Sequence, residues 1–143
     1  MIARPAIVAA ARSWLGTPFH HQGRVKGVGV DCAGLILGVA AELGIVLGDL
    51  KGYGRQPDGE ELLLTCRRQG HEIAPRAALP GDVYLIALQG RPQHLAFATD
   101  RGIIHALAQQ RRVVEHRLDL YWAATIAAAF VLPGVGPGVG GAA

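Results

Sequence analysis

Three side chains in this sequence could together perform nucleophilic chemistry: the thiol of Cys32 and the imidazoles of His94 and His105. A thiol becomes a useful nucleophile when a base, most often His, takes its proton and a third polar group orients that base. Cys32 follows Asp31 at the end of a loop rich in glycine and valine, Lys26 to Val30, and it opens an apolar run. Asp31 suits an N-cap, because its carboxylate can accept from the first free backbone N–H groups of a helix. From Cys32 the apolar positions Leu35, Ile36, Val39, Ala40 and Leu43 recur at the spacing of one buried helix face. Cys32 lies at the N-terminal end of that face, where the helix dipole and unpaired N–H groups favour an anion, so a thiolate is expected. Gly34 suits the close approach of another element or a ligand, and Gly44 is expected at the C′ position. The plainer reading of Cys32 is a small buried hydrophobe, but packing alone requires neither a cap, nor a dipole, nor a glycine-rich approach.

The two histidines fall in a region of strand texture. Positions 94, 96 and 98 share one face of a strand from His94 to Thr99. A two-residue loop at Asp100-Arg101 would pair Thr99 with Gly102 and place His105 opposite Ala96. His105 is then diagonal to His94 on the same face, about 7–8 Å away at the backbone. Ala96 and Ala98 are small, which leaves that face room for a covering helix. A three-residue loop would put the two rings on opposite faces, so the pairing depends on the turn. His71 and His116 read as surface residues. His20 and His21 could join Cys32, His94 and His105 in a zinc site, but no pair has the close C-x-x-C or H-x-x-x-H spacing of such sites, so neither metal nor cofactor is expected.

The elements that must position these groups follow from periodicity and breakers. Pro5 starts a helix that continues through Leu15, with Ile7, Ala10, Ala11 and Trp14 as its apolar stripe, and Gly16 ends it. Thr17 to Arg24 is a loop of mixed polar and aromatic content. After the Cys32 helix, Ile45 to Asp58 is irregular. Asp58 can cap a helix with Glu61 at its third position. Leu62, Leu63 and Cys66 are its apolar face and Gly70 its stop, so Cys66 reads as packing. Pro80-Gly81-Asp82 is a turn, and Val83–Leu88 is a nearly continuous apolar strand, as for a strand covered on both faces. Gln89 to Pro92 turns the chain. Further strands are expected at 94–99, 103–108, 112–118 and 126–132, with a helical turn at 119–124. Helices followed by an antiparallel meander of about five strands make an α+β fold.

Composition narrows the function classes. The 143 residues suit one domain, here residues 1–132, followed by a low-complexity Gly/Pro tail at 133–143. Half of the residues are hydrophobic and the net charge is only +3, with basic residues scattered in pairs, which is too thin for a nucleic-acid surface. Two cysteines are too few for a secreted disulfide scaffold, although a Cys32–Cys66 bridge is conceivable. Arg12 breaks the first apolar segment too early for a signal peptide, and the longest apolar run, Tyr121 to Leu132, is too short to span a bilayer.

The motifs, taken in order, resemble the NlpC family of cell-wall cysteine peptidases. They are Ala11 to Phe19 (ARSWLGTPF), Val30 to Leu35 (VDCAGL), Pro80-Gly81-Asp82, His94 to Phe97 (HLAF) and Ile104-His105-Ala106. The loop Thr17 to Arg24 (TPFHHQGR) is most similar to the branch found in phage tails and gene transfer agents. The resemblance implies a reduced papain-like fold with the Cys32 helix packed on the sheet. It implies Cys32 as nucleophile, His94 as base and His105 as the residue that orients it. It also implies a peptidoglycan substrate, cleaved between D-glutamate and the following diamino acid of the stem peptide. The resemblance further implies substrate contacts at Phe19, Asp31 and Ala33. Phe19 stands where many members carry a Tyr whose hydroxyl assists the oxyanion, and Ala33 where many carry a substrate-binding Ser. Loss of one oxyanion donor typically costs about 10²–10³ in rate, and the backbone N–H of Cys32 remains available as a donor.

The expected function is therefore a peptidoglycan hydrolase carried by a phage-like tail. It would be made in the bacterial cytoplasm without a signal peptide, would dock on tail-tip or hub proteins, and would act in the periplasm or cell wall. The tail at 133–143 and exposed apolar positions such as Val135 are candidate docking points. Two other classes use the same thiol: a structural tail-tip protein with weak or latent catalysis, and an acyltransferase or amidase, because an acyl-enzyme accepts water or an amine alike.

Overall fold

The first helix, α1 (Arg4–Arg12), begins with Pro5 in its first turn and ends at Arg12, three residues short of the expected Leu15. The chain then turns to Gly16, which adopts a positive φ of 84°. The computed structural model describes residues 1–48, 60–88 and 90–136. The expected cap at Asp58 lies outside the described residues. A two-strand ribbon, β1 (Arg24–Val25) and β2 (Gly29–Val30), leads into α2 (Cys32–Glu42). Then come α3 (Glu60–Gln69), β3 (His71–Ile73), β4 (Val83–Leu88), β5 (Arg91–Thr99), β6 (Gly102–Leu107), β7 (Arg112–His116), α4 (Leu120–Ala124) and β8 (Ile126–Val131). The fold is α+β, with an antiparallel six-stranded sheet in the order β3-β8-β4-β5-β6-β7. The sixth strand, β3, and the β1–β2 ribbon are additions to the expected meander.

The sheet is covered on both faces, as the apolar run of β4 requires. On one face Ile7, Ala11 and Trp14, together with Leu35, Ile36 and Val39, pack on Leu85, Leu95, Phe97, Ile104 and Phe130. On the other, Tyr84, Ile86, Ala96, Ala98, Ile103 and Ala129 cluster with Ile126 and are covered by Ala78, Leu118 and Trp122. The helices therefore lie on the Leu95/Phe97 face, not on the Ala96/Ala98 face where a covering helix was expected. Bulk explains the choice: Leu95 and Phe97 give an apolar helix more area to bury than two alanines do, and the alanine face is left to coil and a single helical turn.

Helix α2 is buried more completely than a one-sided pattern implies, since every residue from Cys32 to Ile36 is buried. Its outer side is closed by the loop at 17–24. A Cβ at Gly34 would stand 2.1 Å from the Gly23 carbonyl oxygen, so glycine is required there for the two backbones to touch. Arg12 ties α1 to the β7 edge of the sheet, bonding to Asp100 in the β5–β6 turn (2.6 Å) and to Glu115 of β7 (2.9 and 3.1 Å). At the C-terminal end, residues 133–136 fold back on the N-terminus. The Ile2 N–H donates to Gly134 O, the Gly136 N–H donates to Ile2 O (both 2.8 Å), and Val135 packs against the core instead of standing exposed.

Candidate active site

Cys32 begins α2, and Asp31 caps it as the sequence predicts. Asp31 Oδ1 accepts from the Gly34 N–H (2.9 Å) and from Arg24 Nη1 (2.9 Å), and its Oδ2 accepts from the Gln22 N–H (2.6 Å). A single buried carboxylate thus fixes the helix start, the ribbon and the 17–24 loop together. The hairpin between β5 and β6 has the expected register, with Thr99 opposite Gly102, Ala98 opposite Ile103 and Phe97 opposite Ile104. His94 and His105 consequently meet. His94 Nε2 lies 2.6 Å from His105 Nδ1, with the rings edge-on at a centroid separation of 4.9 Å.

Cys32 and His94 line one open cleft of about 290 Å³, together with Phe19, His21, Asp31 and Gln109. Two of the three expected substrate contacts, Phe19 and Asp31, border this cleft. The side chain of Ala33 is fully buried and does not. Both cysteines are free thiols, and Cys66 packs in the core as expected. Among the described residues no three His, Cys, Asp or Glu side chains are grouped to hold a metal ion.

The electrostatics correct one expectation. Burial pushes the Cys32 thiol up to about 12. The N–H groups of Leu95 and Ala33 and the Arg24 guanidinium favour the thiolate and Asp31 opposes it, but desolvation outweighs them all. The helix N-terminus therefore does not hold a resting thiolate. Burial likewise pushes His94 down to about 4, against the pull of Asp31. His105 falls to about 2, through burial first and then the neighbouring His94 and His116. Burial thus favours the neutral thiol at Cys32 and the neutral imidazole at His94 and His105.

His116, expected at the surface, belongs to the site. Its Nε2 lies 2.8 Å from His105 Nε2, and its Nδ1 lies 2.9 Å from the carbonyl oxygen of Arg117. Trp122 of α4 packs edge-on to His105 at 5.0 Å and against His116 at 5.3 Å. The β6–β7 pairing explains the arrangement. His105 stands opposite Val114 and Ile103 opposite His116, so His105 and His116 are diagonal neighbours on one face. A register for this second hairpin was the missing sequence signal.

A cysteine at a helix N-terminus, packed on an antiparallel sheet that carries a histidine pair, is the papain-like plan. Residues 16–130 match the NlpC/P60 family, and the chain belongs to that family of cysteine peptidases and peptidoglycan hydrolases. The NlpC/P60 domain of the peptidoglycan hydrolase SagA is 25% identical with a TM-score of 0.69, and the match covers 92% of this chain and 100% of that one. An NlpC/P60 family protein from Bacillus cereus ATCC 10987 is 22% identical with a TM-score of 0.71, over 92% of this chain and 41% of that one. The peptidoglycan hydrolase RipB from Mycobacterium tuberculosis is 19% identical with a TM-score of 0.63, over 89% of this chain and 63% of that one. The last two likenesses are of fold. No curated protein matches the chain.

Proposed function

We propose that this protein is a cysteine endopeptidase that hydrolyses peptidoglycan stem peptides at the bond between D-glutamate and the diamino acid. The observation that carries the reading is the cleft shared by Cys32 and His94, with His94 Nε2 held 2.6 Å from His105 Nδ1. Because Nε2 is engaged, Nδ1 of His94 is the nitrogen that takes the thiol proton as sulfur attacks the scissile carbonyl. The backbone N–H of Cys32 faces the developing oxyanion in place of the hydroxyl that Phe19 lacks. His94 then gives the proton to the leaving amine, which departs and leaves a thioester on Cys32. A water molecule, deprotonated by the same nitrogen, attacks the thioester and releases the acid and the thiol. Neutral partners make this general-base catalysis rather than attack by a preformed thiolate.

Purified peptidoglycan incubated with the protein tests the reading. Mass spectrometry should find stem fragments with a newly freed amine on the diamino acid, and Cys32→Ala should release none. The absence of such fragments with the wild-type chain would overturn it. The resemblance of the loop Thr17 to Arg24 to the branch found in phage tails supports a place in a phage-like tail, docked on hub proteins; particles that prove to lack this chain would refute that placement. A second reading, a structural tail-tip protein with latent catalysis, draws on the burial that pushes the Cys32 thiol up. It predicts wall binding without fragments.

A further inference from the structure

A row of three imidazoles joined nitrogen to nitrogen, with one N–H on each ring, can carry its hydrogens in either of two directions. Each bond needs one N–H and one lone pair, so setting any ring sets the others. Here the row runs from His94 through His105 to His116 and ends on the carbonyl of Arg117, at separations of 2.6, 2.8 and 2.9 Å. A carbonyl oxygen only accepts, so Nδ1 of His116 carries the hydrogen and Nε2 of His116 keeps a lone pair. Nε2 of His105 must then donate to it, Nδ1 of His105 accepts, and Nε2 of His94 donates. Nδ1 of His94 is left with its lone pair free. The opposite direction would set the His116 Nδ1 lone pair against the Arg117 oxygen and would put a hydrogen on His94 Nδ1, where it could accept no proton.

We infer that His116 is a positioning residue, and that with the Arg117 carbonyl it selects the tautomer of His94 through His105. Two further features hold the outer end of the row. Trp122 packs against His105 and His116, and its helix is capped by Asp119, whose Oδ1 accepts from the Trp122 N–H at 3.0 Å. Gly102 lets the end of β7 come close, since a Cβ there would lie 2.0 Å from His116 O and 2.8 Å from Arg117 Cα.

The kinetic part of this inference rests on the peptidase reading; the tautomer part does not. Ring ¹⁵N shifts of the full chain should show the hydrogen on Nε2 of His94 and His105 and on Nδ1 of His116. A wild-type chain with the hydrogen on Nδ1 of His94 overturns the inference. In His116→Ala, His94 and His105 should become tautomer mixtures, with kcat down roughly tenfold at unchanged KM, the size of one lost hydrogen-bond bias. His116→Gln still offers an oxygen to the His105 Nε2–H and should recover most of both signals. Amide spectra confirm that each variant is folded. A His116→Ala chain that keeps a single Nε2–H tautomer at His94 overturns the inference, as does an equal loss in Ala and Gln. If the wild type releases no fragments, the peptidase reading fails, and the ring shifts still decide this one.

Discussion

At the scale of single residues, the chemistry turns on two groups that burial keeps neutral. With the thiol near 12 and the imidazole near 4, iodoacetamide at neutral pH should label the protein slowly, and labelling should accelerate as the pH rises into the alkaline range. Cys32 borders the cleft of about 290 Å³, whereas Cys66 borders a much narrower apolar pocket of about 30 Å³. Peptide mapping should therefore find Cys32 modified first, and equal labelling would count against a nucleophile at this position. The histidines should differ in effect. His94→Ala removes the base and should cost as much as Cys32→Ala, because members of such a unit fail together. His105→Ala removes only the ring's orienting partner. It should leave a residue of activity, with a loss of roughly 10²–10⁴-fold, and His105→Asn or His105→Gln should retain more because either can accept from the His94 Nε2–H. Fragment release from one peptidoglycan batch measures all four. A dead His105→Ala beside an active His94→Ala would reverse the roles.

At the scale of elements, the sequence was readable wherever one residue dictates local geometry. Asp31 before an apolar run announced α2, and the two-residue turn at Asp100-Arg101 set the β5–β6 register that joins His94 to His105. The choice of sheet face was not readable. Alternation says which residues share a face but not which face receives the helices, and that was decided by Leu95 and Phe97 outweighing two alanines. His116 was missed for a related reason: β6 and β7 are joined through a 3-10 turn, Ala108–Gln110, and Arg111 at a positive φ of 61°, which no short loop motif announces. Strands of two or three residues, such as β1, β2 and β3, are too short to show any alternation. The element-level prediction concerns Gly102, which opens β6 with a φ of 139°. Its backbone lies under the last residues of β7, so Gly102→Ala must push the His116 carbonyl away. We expect a stability loss of roughly 2 kcal/mol or more and weaker fragment release, with the His105 and His116 ring signals moved together. Unmoved ring signals would show that β7 is positioned by something other than this contact.

At the scale of the whole molecule, the pairing of residues 134–136 with Ile2 and the buried histidines bear on stability. Truncation after Leu132 removes the two backbone bonds to Ile2 and the packing of Val135. The shortened chain should still fold, but with a loss of roughly 1–2 kcal/mol in urea unfolding; an unchanged midpoint would mean that the Ile2–Val135 pairing contributes nothing.

The pH dependence of stability follows from His94 and His105 in the same way. Their folded values of about 4 and about 2 lie below the ordinary 6.5 of an unfolded histidine. Between these limits the unfolded chain binds more protons than the folded one, so stability rises with pH across that window. The contribution is fully present above about 6.5 and is lost as pH falls towards 4, amounting to roughly 3 kcal/mol for His94 alone. Glu42, held low by Lys26 and Trp14 against its own burial, and Glu115, held low chiefly by Arg12, act in the same direction. They do so only below the ordinary carboxylate range, so the histidines govern the upper part of the fall. Urea midpoints at pH 7.5, 6, 5 and 4 should decline steadily, and His105→Gln, which removes one buried titrating ring, should flatten the decline between 6.5 and 5. A midpoint that holds or rises on acidification through that interval would mean that His94 and His105 are charged in the folded protein, and the hydrogen-bond direction assigned to the row from His94 to Arg117 could not then stand.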